Sequence, residues 1–132
     1  MTSIKERLYA RLSQDAAIRQ IAGRNIYPQQ ARQDSSFPMI VFSQTSDAPL
    51  QAIEAQLDTE RFTFQVDSDA QTYQGAEQLA DAVSVCLKNW TDGAITSCRL
   101  DEQHDDFDEP RTSSENAVHR VIQVWVIWAK RS

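Results

Sequence analysis

The sequence predicts an α+β fold: a single antiparallel or mixed β-sheet with an N-terminal helix and one long central helix packed on it, in the order α-β-β-β-α-β-β. Three observations predict it. "TYQGAEQLADAVSVCLKNW" sets Tyr73, Ala76, Ala80, Val83, Leu87 and Trp90 along one stripe at helical spacing. "ERFTFQVDS" alternates, with Phe62, Phe64 and Val66 on one face and Arg61, Thr63, Gln65 and Asp67 on the other. "AVHRVIQVWVIWAK" is rich in β-branched and aromatic residues. A chain of 132 residues can bury one core and has little left for a second, so residues 1–132 are expected to form one domain.

The elements follow in order. Ser3 and Glu6 have the S-x-x-E form of a capping box, and Ile4, Leu8 and Leu12 recur every four residues, so a helix is expected from about Ser3 to Ser13. Asp15 can cap a second short helix carrying Ile18 and Ile21, with Gly23 where a left-handed cap belongs. This gives a bent helix or a helix pair ending near Ala22. "RNIYPQQ" is a short extended piece, because Pro28 disfavours the helical region for Tyr27. "FPMIVFSQTS", Phe37 to Ser46, is a strand entered through Pro38, and Glu60 to Ser68 is the next.

Between them "DAPLQAIEAQLD", Asp47 to Asp58, fits either a short helix or an extended hairpin arm, with Leu50, Ile53 and Leu57 as its apolar residues. Ser68 and Gln71 form a second candidate capping box ahead of the main helix, about Ala70 to Asn89. Asp92-Gly93 turns the chain into two long strands, "AITSCRLDEQHDDF" and "AVHRVIQVWVIWAK". In the last one Val121, Trp125 and Ile127 point one way while Ile122, Val124, Val126 and Trp128 point the other. A strand apolar on both sides is covered on each face by the protein itself or is buried against another subunit. Trp125 and Ile127, with Leu50 and Ile53 of the insertion, are the candidate subunit-interface residues.

Charge is concentrated in one place. The chain carries 19 acidic and 13 basic residues, a net charge of -6. Asp101, Glu102, Asp105, Asp106, Asp108 and Glu109 account for the whole excess, since the remaining 13 acids balance the 13 bases. Wholesale binding of a phosphate backbone is therefore disfavoured. Apolar runs of signal-peptide or membrane-spanning length are absent, so no membrane partner is expected. Cys86 and Cys98 fit a cytosolic protein with two reduced, partly buried thiols.

"LDEQHDDFDEPR", Leu100 to Arg111, is the one stretch that invites a chemical reading. In an extended chain Asp101, Gln103 and Asp105 face one side and Glu102, His104, Asp106 and Asp108 the other. A segment charged on both faces is the solvated outer part of a hairpin. The competing reading is a divalent-metal-dependent hydrolase or nuclease in which His104, Asp106 and Asp108 offer a nitrogen and carboxylate oxygens to Mn or Mg. The spacing lacks the central Gly and twelfth-position Glu of an EF-hand. A Cys98 and His119 dyad across neighbouring strands has no nucleophile-elbow or papain-like context around it. With glycines only at 23, 75 and 93 there is no phosphate-binding loop. A third reading is a small module that binds a peptide or ligand at a sheet edge.

The succession "RLYARLSQDAAIRQIAGRNIYP", "FPMIVFSQTS" and "ERFTFQVDSDAQTYQGAEQLADAV" resembles the tail-completion family of long-tailed phages and prophages, also described as tail-terminator or head-tail joining proteins. Members share an N-terminal helix with an Asp-Ala turn, a Gly-Arg-Ile-Tyr-Pro-like strand and a Pro-initiated apolar strand. An Arg-aromatic alternating strand and a helix opening with Tyr and alanines come next. Here Asn25 stands between Arg24 and Ile26. The resemblance covers the first two-thirds of the chain, and the C-terminal third matches in supplying two closing strands.

The resemblance implies a structural virion protein with no catalytic residue and no cofactor. Such a protein is found in the virion tail, and in the host cytoplasm during assembly. It would form a homo-oligomeric ring, usually a hexamer, at the head-proximal end of the tail tube. Its partners would be the tail tube protein and the head connector or adaptor, and DNA would pass through without specific binding. The six carboxylates would then line the lumen and repel phosphates, or form a docking surface for a basic patch on a partner.

Overall fold

The computed structural model describes residues 3–29, 36–49, 59–109 and 117–130. It contains helices α1 (Ile4–Gln14), α2 (Ala16–Ala22) and α3 (Tyr73–Leu87), and strands β1 (Ile26–Pro28), β2 (Met39–Pro49), β3 (Thr59–Ala70), β4 (Ile95–Asp108) and β5 (Val118–Lys130). The strands form one mixed sheet in the order β1-β2-β3-β5-β4. β1 runs parallel to β2, and every other neighbouring pair is antiparallel.

The N-terminal expectation resolves as a helix pair. The Ser3 hydroxyl accepts from the Glu6 backbone N–H and donates to the Glu6 carboxylate, each at 3.2 Å, and so satisfies an orphan donor of the first turn. Asp15 ends α1 and caps α2 by accepting from the Ile18 N–H at 3.1 Å. Gly23 closes α2 at φ 60°, a conformation that costs a Cβ-bearing residue more.

The start of α3 differs from the sequence reading. Thr72, not Ser68, is its N-cap, and its side chain accepts from the Gly75 N–H at 3.0 Å. Strand pairing wins over the earlier capping box, because β3 continues to Ala70 opposite His119 of β5. Ser68 is thereby buried inside the sheet opposite Val121, with a hydroxyl that finds no hydrogen-bond partner among the described residues.

All three helices contribute to a core over one face of the sheet. Leu8 and Leu12 of α1, Ile18 of α2, and Leu79, Val83 and Leu87 of α3 meet Ile40, Phe42, Phe64, Val66, Trp125 and Ile127. Of the predicted α3 stripe, Ala76, Ala80, Val83, Leu87 and Trp90 are buried, whereas Tyr73 at the first turn stands 51% exposed. Gln123, buried among apolar neighbours, is satisfied. Its amide nitrogen donates toward Ser84 Oγ and Gln103 Oε1, both at 2.9 Å, and toward the Ala80 carbonyl at 3.3 Å. Its oxygen accepts from the Trp125 indole N–H at 3.4 Å.

Trp125 and Ile127 were natural interface candidates by sequence, and here the monomer corrects that expectation. Both are 0% exposed in the core, covered by the helices. The side of β5 that faces away from the helices carries Ile122, Val124 and Trp128, all half-buried, and the buried Val126. Leu50 and Ile53 lie outside the described residues. Since Trp125 fills intramolecular space, Trp125→Ala should cost the subunit about 3–5 kcal/mol, read by urea unfolding. Loss of oligomer at unchanged subunit stability would return Trp125 to an interface.

Candidate functional site

The site grows out of the last two strands. β4 is an edge strand of 14 residues. Its first half carries Ile95 and Cys98 into the core, and from Arg99 to Glu109 every residue is exposed. All six predicted carboxylates, Asp101, Glu102, Asp105, Asp106, Asp108 and Glu109, therefore lie along one solvated stretch at one edge of the sheet.

A register shift between Leu100 and Glu102 leaves Asp101 as an extra residue. Beyond it Gln103 lies opposite Gln123, His104 opposite Ile122, Asp106 opposite Arg120 and Asp108 opposite Val118. Gln103 and Asp105 thus take the helix side, and Glu102, His104, Asp106 and Asp108 the helix-free side, as the period of two requires.

The helix-free side holds a cluster that sequence reasoning missed. The guanidinium of Arg120 reaches Asp69 Oδ1 at 2.9 Å through Nε, Asp108 Oδ2 at 3.0 Å through Nη2 and Asp106 Oδ2 at 3.4 Å through Nη1. Its second contact to Asp69 is 3.4 Å long. One cation ties β3, β5 and β4 together. Burial works against the charge on Arg120, but the hydrogen bond and charge of Asp69, and then Asp108, hold its pKa above the ordinary guanidinium value. Asp69, only 6% exposed, is pushed up by burial despite that partner. Asp67 on the same side is also raised, by burial first, against the Gln65 hydrogen bond and the Arg120 charge.

The chemical readings can now be compared with geometry. His104, Asp106 and Asp108 do share a face, but Arg120 engages both aspartates, and His104 has the carboxylate of Glu102 4.0 Å away. Among the described residues no group of three His, Cys, Asp or Glu side chains is arranged to hold a metal ion. Cys98 pairs with Ile127 and His119 with Ala70 and Phe107, so the structure separates the imagined dyad along β5. His119 packs instead against the Phe107 ring, centroids 4.8 Å apart. Cys86 and Cys98 are free and buried, and burial pushes their thiols up to about 11 and about 12, which leaves them protonated at neutral pH. The geometry of the site is that of an electrostatic surface.

A family model described as tail completion protein gp17 matches residues 6–128. The chain belongs to this family. It is a structural protein of the phage tail, and the match extends over the C-terminal strands that the sequence resemblance had left least defined. No curated protein matches the chain. A chain in a solved structure described as the virion of a native gene transfer agent (GTA) particle is similar in fold, with a TM-score of 0.63 and 17% identity. The alignment covers 93% of this chain and 91% of that one. The fold is thus shared despite few identical residues.

Arg120 was hard to find because nothing beside it in sequence is acidic, and only the register of β5 brings Asp69, Asp106 and Asp108 to it. Arg120→Met should destabilise the fold by about 3–5 kcal/mol, since it leaves the buried Asp69 carboxylate unpaired. Adding Asp69→Asn should recover most of the loss in chemical denaturation, and no recovery would mean that Arg120 acts through its packing alone. Asp67→Asn should raise the melting temperature at pH 7. A raised folded-state pKa means that the fold favours protonated Asp67 and loses stability as pH rises through that value. The advantage of the variant should accordingly vanish as pH falls below about 4, and a gain independent of pH would assign the effect elsewhere.

Proposed function

We propose that this tail-completion protein ends the phage tail tube at its head-proximal end as a homo-oligomeric, hexameric ring and joins that end to the head connector. The family match over residues 6–128 is the observation that carries the reading. The chain contributes shape and charge, not catalysis, and DNA passes through the ring without being gripped.

The form of the acidic strand supports a docking surface in preference to a lumen lining. A lining needs carboxylates aimed at one side, whereas β4 directs Asp105 to one face of the sheet and Glu102, Asp106 and Asp108 to the other. A carboxylate-rich edge also keeps strands of like charge from pairing with it, as edge strands require. A basic partner surface, by contrast, would be steered toward it.

The test is assembly without the protein. In a phage whose copy of this coding segment is deleted, electron micrographs of lysates should show heads and tail tubes separately, with tubes of uncontrolled length, and supplied protein should restore joined particles. Normal virions in its absence would overturn the reading. Light scattering of the purified protein across a concentration series should show a mass near six subunits.

A further inference from the structure

Resting on the ring reading above, we propose that the acidic edge strand of each subunit docks into a basic, aromatic groove at the opposite sheet edge of the next copy. The groove, of about 1060 Å³, runs between α1 and β1. Tyr9, Tyr27 and Phe42 form its apolar wall, and Lys5 and Arg24 stand at it as exposed cations. Glu6, the single carboxylate among the described lining residues, is engaged with the Ser3 hydroxyl that caps α1.

Charge complementarity selects the occupant. At the groove Lys5 and Arg24 stand against Glu6, so the described lining carries a net positive charge. The six-carboxylate strand β4 offers the opposite charge, and it also presents exposed Leu100 and Phe107, 39% and 48% exposed, to an aromatic wall. A second copy of this chain therefore carries both the charge and the apolar anchors that the groove fits.

The strand order adds geometry. β1 and β4 are the two ends of the sheet, so groove and acidic strand face away from each other and cannot meet within one subunit. Contact between copies is then head-to-tail. A heterologous joint of this kind propagates, and it closes into a ring when the rotation per step permits. Two acidic edges facing each other would repel, which also excludes the competing two-fold pairing of β4 with β4.

Charge exchange between two variants tests the joint. Variant one carries Lys5→Glu and Arg24→Glu; variant two carries Asp101→Lys, Glu102→Lys and Asp105→Lys. All five residues are exposed, and the set spares Asp106 and Asp108, which hold Arg120. Circular dichroism melting of each variant checks the fold. Light scattering should show the wild type as a ring, each variant alone as a monomer, and the equimolar mixture as rings in which the two variants alternate.

Variants that remain rings of wild-type mass on their own would overturn the docking proposal and leave the ring reading standing. Failure of the mixture to reassemble from two folded monomers would overturn it as well. A wild type that stays monomeric at every concentration would count against ring and joint together.

Discussion

Strand β5 is the constraint on which the rest depends. It lies between β3 and β4, antiparallel to both, and its register with each decides what every neighbouring side chain meets. On one side it supplies Val121, Gln123, Trp125 and Ile127 to the layer beneath the helices. On the other it supplies Arg120, which draws three carboxylates from two other strands, and an apolar row beyond it. A strand committed on both faces cannot slip by one residue without exchanging core for surface. That commitment explains why a chain with a polar, acidic edge still folds around a single defined sheet.

The two polar clusters on β5 solve different problems. Gln123 sits in the apolar layer and is tolerated because its amide has partners on α3, β4 and Trp125. Arg120 sits at the rim, where it offsets the carboxylates of Asp69, Asp106 and Asp108. Removing either would leave buried polar groups without partners. Together they pin β4 to β5 from both faces along a stretch where β4 itself is fully solvated. The acidic edge can therefore be a well-placed surface, not a frayed end.

Much of this was legible in the sequence because it follows from local period and capping. The S-x-x-E box at Ser3, the Asp15 cap, Gly23 and the alternation of Phe62, Phe64 and Val66 each act within a few residues, and each reappears as expected. The start of α3 was misread because a competing interaction lies far away in sequence: β5 holds Ser68 and Ala70 in β3 through Val121 and His119. Trp125 and Ile127 were offered to a neighbour because sequence cannot tell which face of a two-sided strand the helices take. The acidic residues were seen and Arg120 was not, because a charge cluster in one segment is visible in the chain and a partner brought from another strand is not.

The extra residue at Asp101 has an outcome for how this chain can vary. Were the bulge lost with the number of residues unchanged, each residue of β4 beyond Leu100 would move one place along β5 and change face. Asp105 would then lie opposite Arg120 and Glu102 opposite Gln123, and Phe107 would join Asp105 on the arginine's side. Deleting Asp101 itself would remove the bulge and keep every later pairing, whereas between Glu102 and Asp108 single-residue insertions and deletions are disruptive and those of two residues preserve the alternation of faces. Beyond Asp101, length variation in this strand among related chains should come in even steps, a rule of parity that an alignment can read without any structure.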